Sequence, residues 1–362
     1  MKKILMAALM MGATLSTQAQ NEWFKNVKFS GYGMVQYQAS DQDAKESNGF
    51  NLRLVRMALE GRAHEDFYWK VQMQINGNTY DPDNTAKTDI RLVDLFGEWQ
   101  KYEFFKVKAG QFKRPFTFEN PMHPITQGFM SYSQNVSKLA GFSDRCGGNA
   151  SNGRDIGVQI QGDFLKNAEG RNLLHYQIGA FNGEGINQKD KDNRKDIIGG
   201  VWVMPIKGMR IGAFGWTGSQ NVKNTAGTLV RMEKNRYAFS GEYVQNDWTF
   251  RTEYIHSQGW NATQTSDKAD GIYALCIAPI QKNKMHVKAR YDLYREANSW
   301  NGFINDANLF VGGAKTMYEI GADYLFTKNL QINLEYARVN DRTINSDKHS
   351  YNMVDVELDF RF

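Results

Sequence analysis

Over residues 351–362 the side chains alternate without a break. One phase reads Val354, Val356, Leu358, Phe360 and Phe362; the other reads Asp355, Glu357, Asp359 and Arg361. A strand turns successive side chains to opposite faces, so this one is apolar on one side and charged on the other. Two kinds of fold use such a strand. A soluble sheet buries the apolar face against a second layer. A closed barrel in a bilayer turns that face to lipid and points the charges into a wet interior. The number of repeats and the way they are connected separate the two.

The alternation recurs along the chain. Phe29, Gly31, Gly33, Val35 and Tyr37 oppose Ser30, Tyr32, Met34, Gln36 and Gln38. Phe67, Trp69, Val71, Met73 and Ile75 oppose Tyr68, Lys70, Gln72, Gln74 and Asn76. The pattern predicts sixteen strands, near 28–38, 51–63, 67–76, 90–100, 104–113, 154–164, 173–181, 196–205, 209–218, 236–245, 248–257, 271–280, 284–295, 315–326, 330–340 and 351–362. Segments 196–205 and 271–280 alternate least cleanly.

The connectors sort by parity. Those after even-numbered strands are short, such as 64–66, 101–103 and 246–247, and only 165–172 is longer. Those after odd-numbered strands are long, among them 39–50, 77–89, 114–153 and 219–235. A sandwich has no reason to sort its loops this way. An outer-membrane barrel does, with short periplasmic turns, long external loops and an even strand number. Aromatics such as Trp69, Tyr102, Phe104, Phe105 and Phe360 gather near strand ends, as interfacial girdles require. Barrels of about 16–18 strands leave an aqueous channel, so strand count already bears on function.

The remaining composition narrows the class. Lys2 and Lys3 followed by an apolar stretch to Leu15, then Thr17-Gln18-Ala19, read as a signal peptide over 1–19 ahead of a single barrel domain over 20–362. A net charge of +5 is too mild to argue for nucleic acid. Cys146 and Cys276 fall at different expected heights, so no disulfide is expected. No metal-spaced Cys/His set and no phosphate-cradling glycine loop is present, so no cofactor is expected. Asp81 and Asp83 flank Pro82 in a loop and could take calcium, although a plain turn explains them. His123, His175, His256, His286 and His349 are dispersed, which argues against a barrel enzyme.

The run Val107-Lys108-Ala109-Gly110-Gln111-Phe112-Lys113-Arg114-Pro115-Phe116 resembles the phosphate-selective porin O and P family, whose members carry a similar run at the end of the fifth strand. The stretch from Leu52 to Gly61, with Arg53 and Arg56, looks like that family's Arg-rich second strand; Arg154-Asp155-Ile156-Gly157 and Ala180-Phe181-Asn182-Gly183 also fit. The resemblance implies an all-β, sixteen-stranded antiparallel transmembrane barrel with an inward-folded third external loop. It also implies a homotrimer in outer-membrane lipid that passes small hydrophilic solutes, anions and phosphate among them. One departure stands out. The third loop, 114–153, carries only Lys138 and Arg145 as basic residues after Arg114, with His123 able to join at low pH. Asn120 stands where that family's loop can carry a lysine after the F-x-F-E run, so phosphate selectivity is not carried over with the barrel and pore.

Selectivity in a wide pore comes from rows of side-chain charge. Arg56, Arg62, Lys70, Lys106 and Lys108 on strands two to five, Lys138 and Arg145 in the third loop, and Arg290 on strand thirteen are the expected pore-lining, anion-binding residues. Acids concentrate on strands fourteen to sixteen, among them Glu335, Asp355, Glu357 and Asp359, which would set a field across the bore. The competing reading is that these charges pair across strands and only keep the wall wet. A saccharide path would need a row of inward aromatics. Tyr32, Phe96, Phe181, Phe214 and Trp216 have the right phase but lie on scattered strands.

Overall fold

All sixteen expected strands form, and each pairs antiparallel with its sequence neighbours. A computed structural model describes residues 26–43, 45–76, 90–147, 151–223 and 227–362. The signal peptide and the Asp81–Asp83 loop lie outside them. The strands are β1 Lys28–Ser40, β2 Ser47–His64, β3 Phe67–Gln74, β4 Arg91–Tyr102, β5 Phe105–Lys113, β6 Arg154–Lys166, β7 Asn172–Phe181 and β8 Asp196–Val203. They continue as β9 Met209–Thr217, β10 Asn235–Gln245, β11 Trp248–Gln258, β12 Lys268–Gln281, β13 Met285–Glu296, β14 Phe310–Thr327, β15 Leu330–Asp341 and β16 Ser350–Arg361. β16 pairs with β1 from Tyr32↔Arg361 to Ser40↔Met353, which closes the barrel.

The opening alternation decides which face is which. On β16, Val354, Leu358 and Phe360 are 37–38% exposed, whereas Glu357 and Asp359 are at most 2% exposed. The apolar phase therefore faces out and the charged phase in. The seam uses the last apolar residues directly. A Cβ added to Gly31 would come within 2.4 Å of the Phe362 ring, and one added to Gly33 within 2.3 Å of Phe360. The rings lie over the two glycines and cover a strand that would otherwise have no outward side chains there.

The largest excesses over expected length are in two strands. β2 and β14 each run 18 residues. Residues 47–52 are exposed on both faces, so no half-buried alternation marks them. Two further pairings sit in external loops: Ser219–Lys223 with Leu229–Glu233, and Gly302–Ile304 with the start of β14. Both are short; Phe303 and Ile304 are exposed, whereas Ser219, Gln220 and Met232 of the other pair are buried.

The lumen is partly filled. Phe116, Phe118, Phe129, Val136 and Leu139 of the third loop pack with Phe112, Phe181, Phe214, Trp216 and Tyr273 of the wall in one buried apolar cluster. A short helix, α1 Gln134–Leu139, belongs to the same loop.

Candidate pore constriction

The loop is launched by the run that opens at Val107. Gly110 sits at φ +129, and a Cβ there would lie 2.2 Å from the Leu95 carbonyl oxygen, so only glycine fits. Lys113 Nζ donates to the Met122 carbonyl at 2.6 Å and to the Tyr132 hydroxyl at 2.8 Å. Arg114 pairs with Asp155 at 3.3 Å. Asn120 Nδ2 donates to the Arg114 carbonyl at 2.8 Å and is fully buried, so this position builds the root of the loop. These contacts turn the chain inward where a hairpin would have continued upward.

The far wall then holds the loop along its length. Glu253 Oε1 on β11 accepts the amides of Phe118 and Glu119 at 2.7 and 2.9 Å. Asp292 on β13 accepts the Gln134 amide at 2.8 Å, and Glu335 on β15 accepts that of Met130 at 2.9 Å. The cations take the loop's carbonyls. Arg251 donates to Gln127 at 2.9 Å, Lys288 to Gly128 at 3.0 Å and Arg290 to Ser131 at 2.8 Å. Phe129 lies under Lys288 and Arg290, 5.0 and 4.5 Å from its ring centroid. A loop carries unpaired amides and carbonyls that are costly to bury. The wall of β11–β15 supplies charged partners for both kinds.

The opposite wall is built differently. Register places one inward residue from each of five adjacent strands in a single row: Arg361 opposite Tyr32, Tyr32 opposite Arg56, Arg56 opposite Gln74, and Gln74 opposite Arg91. Three arginines thus cross β16, β1, β2, β3 and β4, spaced by a phenol and an amide. Arg56 donates to the Gln74 side-chain oxygen at 3.0 and 3.2 Å and to the Tyr32 hydroxyl at 3.1 Å. These partners are neutral, and the carboxylate within its electrostatic reach, Asp94, is itself held by Arg154 at 2.6 Å. Among the described residues Arg361 and Lys113 also have no carboxylate within ion-pair distance.

His123 of the loop faces this row. Its ring meets Tyr32 edge-on at 4.5 Å, and its Nδ1 accepts the Ile125 amide at 3.2 Å, which leaves the proton on Nε2. Burial, then the nearby cations Lys113, Arg361, Arg56 and Lys70, push its pKa down to about 3. His123 therefore does not join as a cation at low pH. It stays a neutral donor beside a cationic row.

The expected residues fall into three groups. Arg56 is in the row, and Lys70 lies within electrostatic reach of His123, 3.9 Å from Glu60. Lys106 pairs with Asp163 and Lys108 with Glu98, each at 3.3 Å, while Arg62 is exposed and bonds the Glu65 carbonyl at 2.6 Å. Arg290 is buried against Glu319 and the loop; Arg145 bonds Glu296 and the Ser266 and Lys268 carbonyls; Lys138 ends α1, its pKa lowered by burial and then by Lys315. The acidic strand is also partly occupied. Asp355 accepts Gln36 and Gln38 at 2.8 Å, and Glu357 pairs with Arg53 at 3.2 Å. Arg91 and Arg361 were not among the expected site residues, although Arg361 sits in the charged phase of the last strand. Only register places them beside Arg56.

Comparison with known proteins agrees with this architecture. Residues 30–194 match the family described as phosphate-selective porin O and P, which spans β1 to the loop after β7. The chain is an outer-membrane porin. Solved structures show the same fold at low identity. The porin aligns with an anion-selective porin from Comamonas acidovorans at TM-score 0.63 and 13% identity, covering 93% of this chain and 99% of the other. It aligns with OmpF of Salmonella typhi, in complex with daunomycin, at TM-score 0.64 and 12% identity, covering 95% and 99%. The outer membrane channel DcaP of Acinetobacter baumannii gives TM-score 0.59 and 11% identity over 93% and 97%. No curated protein matches the sequence. At such identities the structures establish the fold alone. The family match joins that fold to a channel.

Proposed function

We propose that the porin passes small hydrophilic solutes and favours anions, phosphate among them. The observation that carries this reading is the row Arg361, Tyr32, Arg56, Gln74 and Arg91, with Lys70 and Lys113 close by. The far wall spends its charges on the loop, so its acids do not offset the row across the bore. Arginine suits the task because its planar fork meets oxyanions two bonds at a time. The expected homotrimer belongs to the same reading, through the family resemblance.

The saccharide alternative loses its aromatics. Phe181, Phe214 and Trp216 are sealed in the loop's apolar cluster. Nor do we propose an enzyme. His175 bonds Asp163, and His286 bonds Asp247 and Asp323, so these two imidazoles have carboxylate partners and no hydroxyl nucleophile. Reversal potentials in planar bilayers under a salt gradient, with phosphate and chloride compared, test the proposal. Anion preference in the wild type that falls in R56Q/R361Q supports it; cation preference in the wild type overturns it.

A further inference from the structure

The membrane-facing side of the external rim carries a second basic feature, outside the bore. Thr217 ends β9 and Asn235 begins β10, where the long odd-numbered connectors place the external side. Both are exposed, in phase with outward Ile211 and with outward Tyr237 and Phe239. Lys195 has the outward phase of Ile197, because Asp196 between them points in and bonds the Trp216 indole at 2.9 Å. Arg231 shares the outward phase of Glu233 and Asn235. A cavity of about 420 Å³ opens here, lined by Arg194, Lys195, Arg231, Thr217, Asn235 and Glu233. Lys195 bonds Asp190, and Arg231 lies 3.5 Å from Glu233. Arg194 has no ion pair among the described residues, so the pocket keeps a surplus cation.

Directly below the pocket the outer wall is hollow. Gly199 of β8 pairs with Gly215 of β9; a Cβ added to Gly215 would meet nothing within 4 Å, whereas at Gly199 it would lie 3.1 Å from the Ile178 side chain, which already covers that position. Ile197 and Val201 flank this strip on β8, and Tyr237 and Phe239 flank it on β10. The trough is apolar, faces lipid and runs up to the cations.

We propose that this pocket and trough bind a phosphorylated lipid of the outer leaflet, with its phosphate on Arg194, Lys195 and Arg231 and an acyl chain over Gly215. Position selects the ligand. A free anion in transit would meet cations in the bore, whereas these stand on the membrane side at head-group height. Basic residues at that height attract anionic head groups, and the strip beneath offers the chain a groove that a glycine-free wall would fill.

The test uses the full-length porin in detergent micelles and native mass spectrometry. Diphosphoryl lipid A is the probe, with fully dephosphorylated lipid A and inorganic phosphate as comparators. The expected result is retention of the diphosphoryl form over the dephosphorylated one, and a loss of roughly tenfold in R194E/R231E. Wild-type single-channel conductance in that variant shows an intact barrel, because both residues line the rim pocket. G215F, which fills the trough and leaves the cations, is expected to weaken lipid A as well. Equal binding of the dephosphorylated form, unchanged binding in R194E/R231E, or displacement of lipid A by inorganic phosphate would each overturn the proposal.

Discussion

The walls of β11–β15 and of β16–β4 both present charged side chains to the lumen, yet they do different things. On the first, Glu253, Asp292 and Glu335 meet loop amides, while Arg251, Lys288 and Arg290 meet loop carbonyls. On the second, Arg56 meets only a phenol and an amide. A charge matched by a buried partner becomes a structural tie. A charge held by neutral partners keeps its field, and a low-dielectric wall strengthens that field at the bore. Composition does not separate the walls; the third loop does, by docking on one of them.

The largest effect is expected where a tie is cut. Glu253→Ala strands the buried Phe118 and Glu119 amides, at a cost on the order of 3 kcal/mol for two unpaired donors. The loop should loosen, unit conductance should rise, and limited proteolysis should cut within 114–153. Unchanged conductance together with a protected loop would dissolve the distinction between the walls.

Selectivity should respond on the other side. Arg56→Gln with Arg361→Gln is expected to shift the reversal potential toward zero by many millivolts and to leave unit conductance within about twofold. Arg251→Gln is expected to do the reverse, moving conductance and gating noise more than selectivity. If both variants move selectivity equally, the tether wall belongs to the filter after all.

A smaller effect is expected at the seam. Phe362→Ala uncovers Gly31 and removes an aromatic contact with Phe29, whose ring centroid is 6.0 Å away. The loss should be about 1 kcal/mol, read as a lower temperature for the heat-induced mobility shift of the folded barrel. No change would mean that lipid covers the glycine equally well.

The smallest effect concerns His123. Its folded pKa of about 3 lies below the ordinary imidazole value, so the folded loop holds it neutral. Protonation favours the released loop, and the penalty grows as pH falls from about 6.5 toward about 3. His123 should therefore add no step to anion preference from pH 7 to 4, so the wild type and His123→Phe should track each other in selectivity. Loop release should become slightly easier over that range in the wild type, but not in His123→Phe. A selectivity step near pH 6 that is present in the wild type and lost in His123→Phe would show a charged, solvated imidazole instead.

Much of this was legible beforehand. The sixteen strands, the sorting of loops and the outward face of β16 follow from period-2 alternation and connector length. Arg56 was placed correctly in the inward phase. The roles of Arg290 and Arg145 were not legible, because their partners lie at Ser131 and Glu296, on other strands and loops. The added strand pairs at 219–233 and 302–304 are not legible because the added strands are only three to five residues long, too short to show a period.

The sequence by itself determined a closed sixteen-stranded barrel, since alternation fixes each strand's two faces and parity fixes its ends. Register between strands was left open. A two-residue slip keeps every side chain on its face and changes every neighbour. Only the tertiary structure set Arg361, Arg56 and Arg91 level with one another. Only the tertiary structure decided which charges the third loop would consume. The physical reason is the same for both. Local chemistry chooses the face of a strand, but the height at which two strands meet, and the wall on which a buried loop finds its partners, depend on the whole closed sheet.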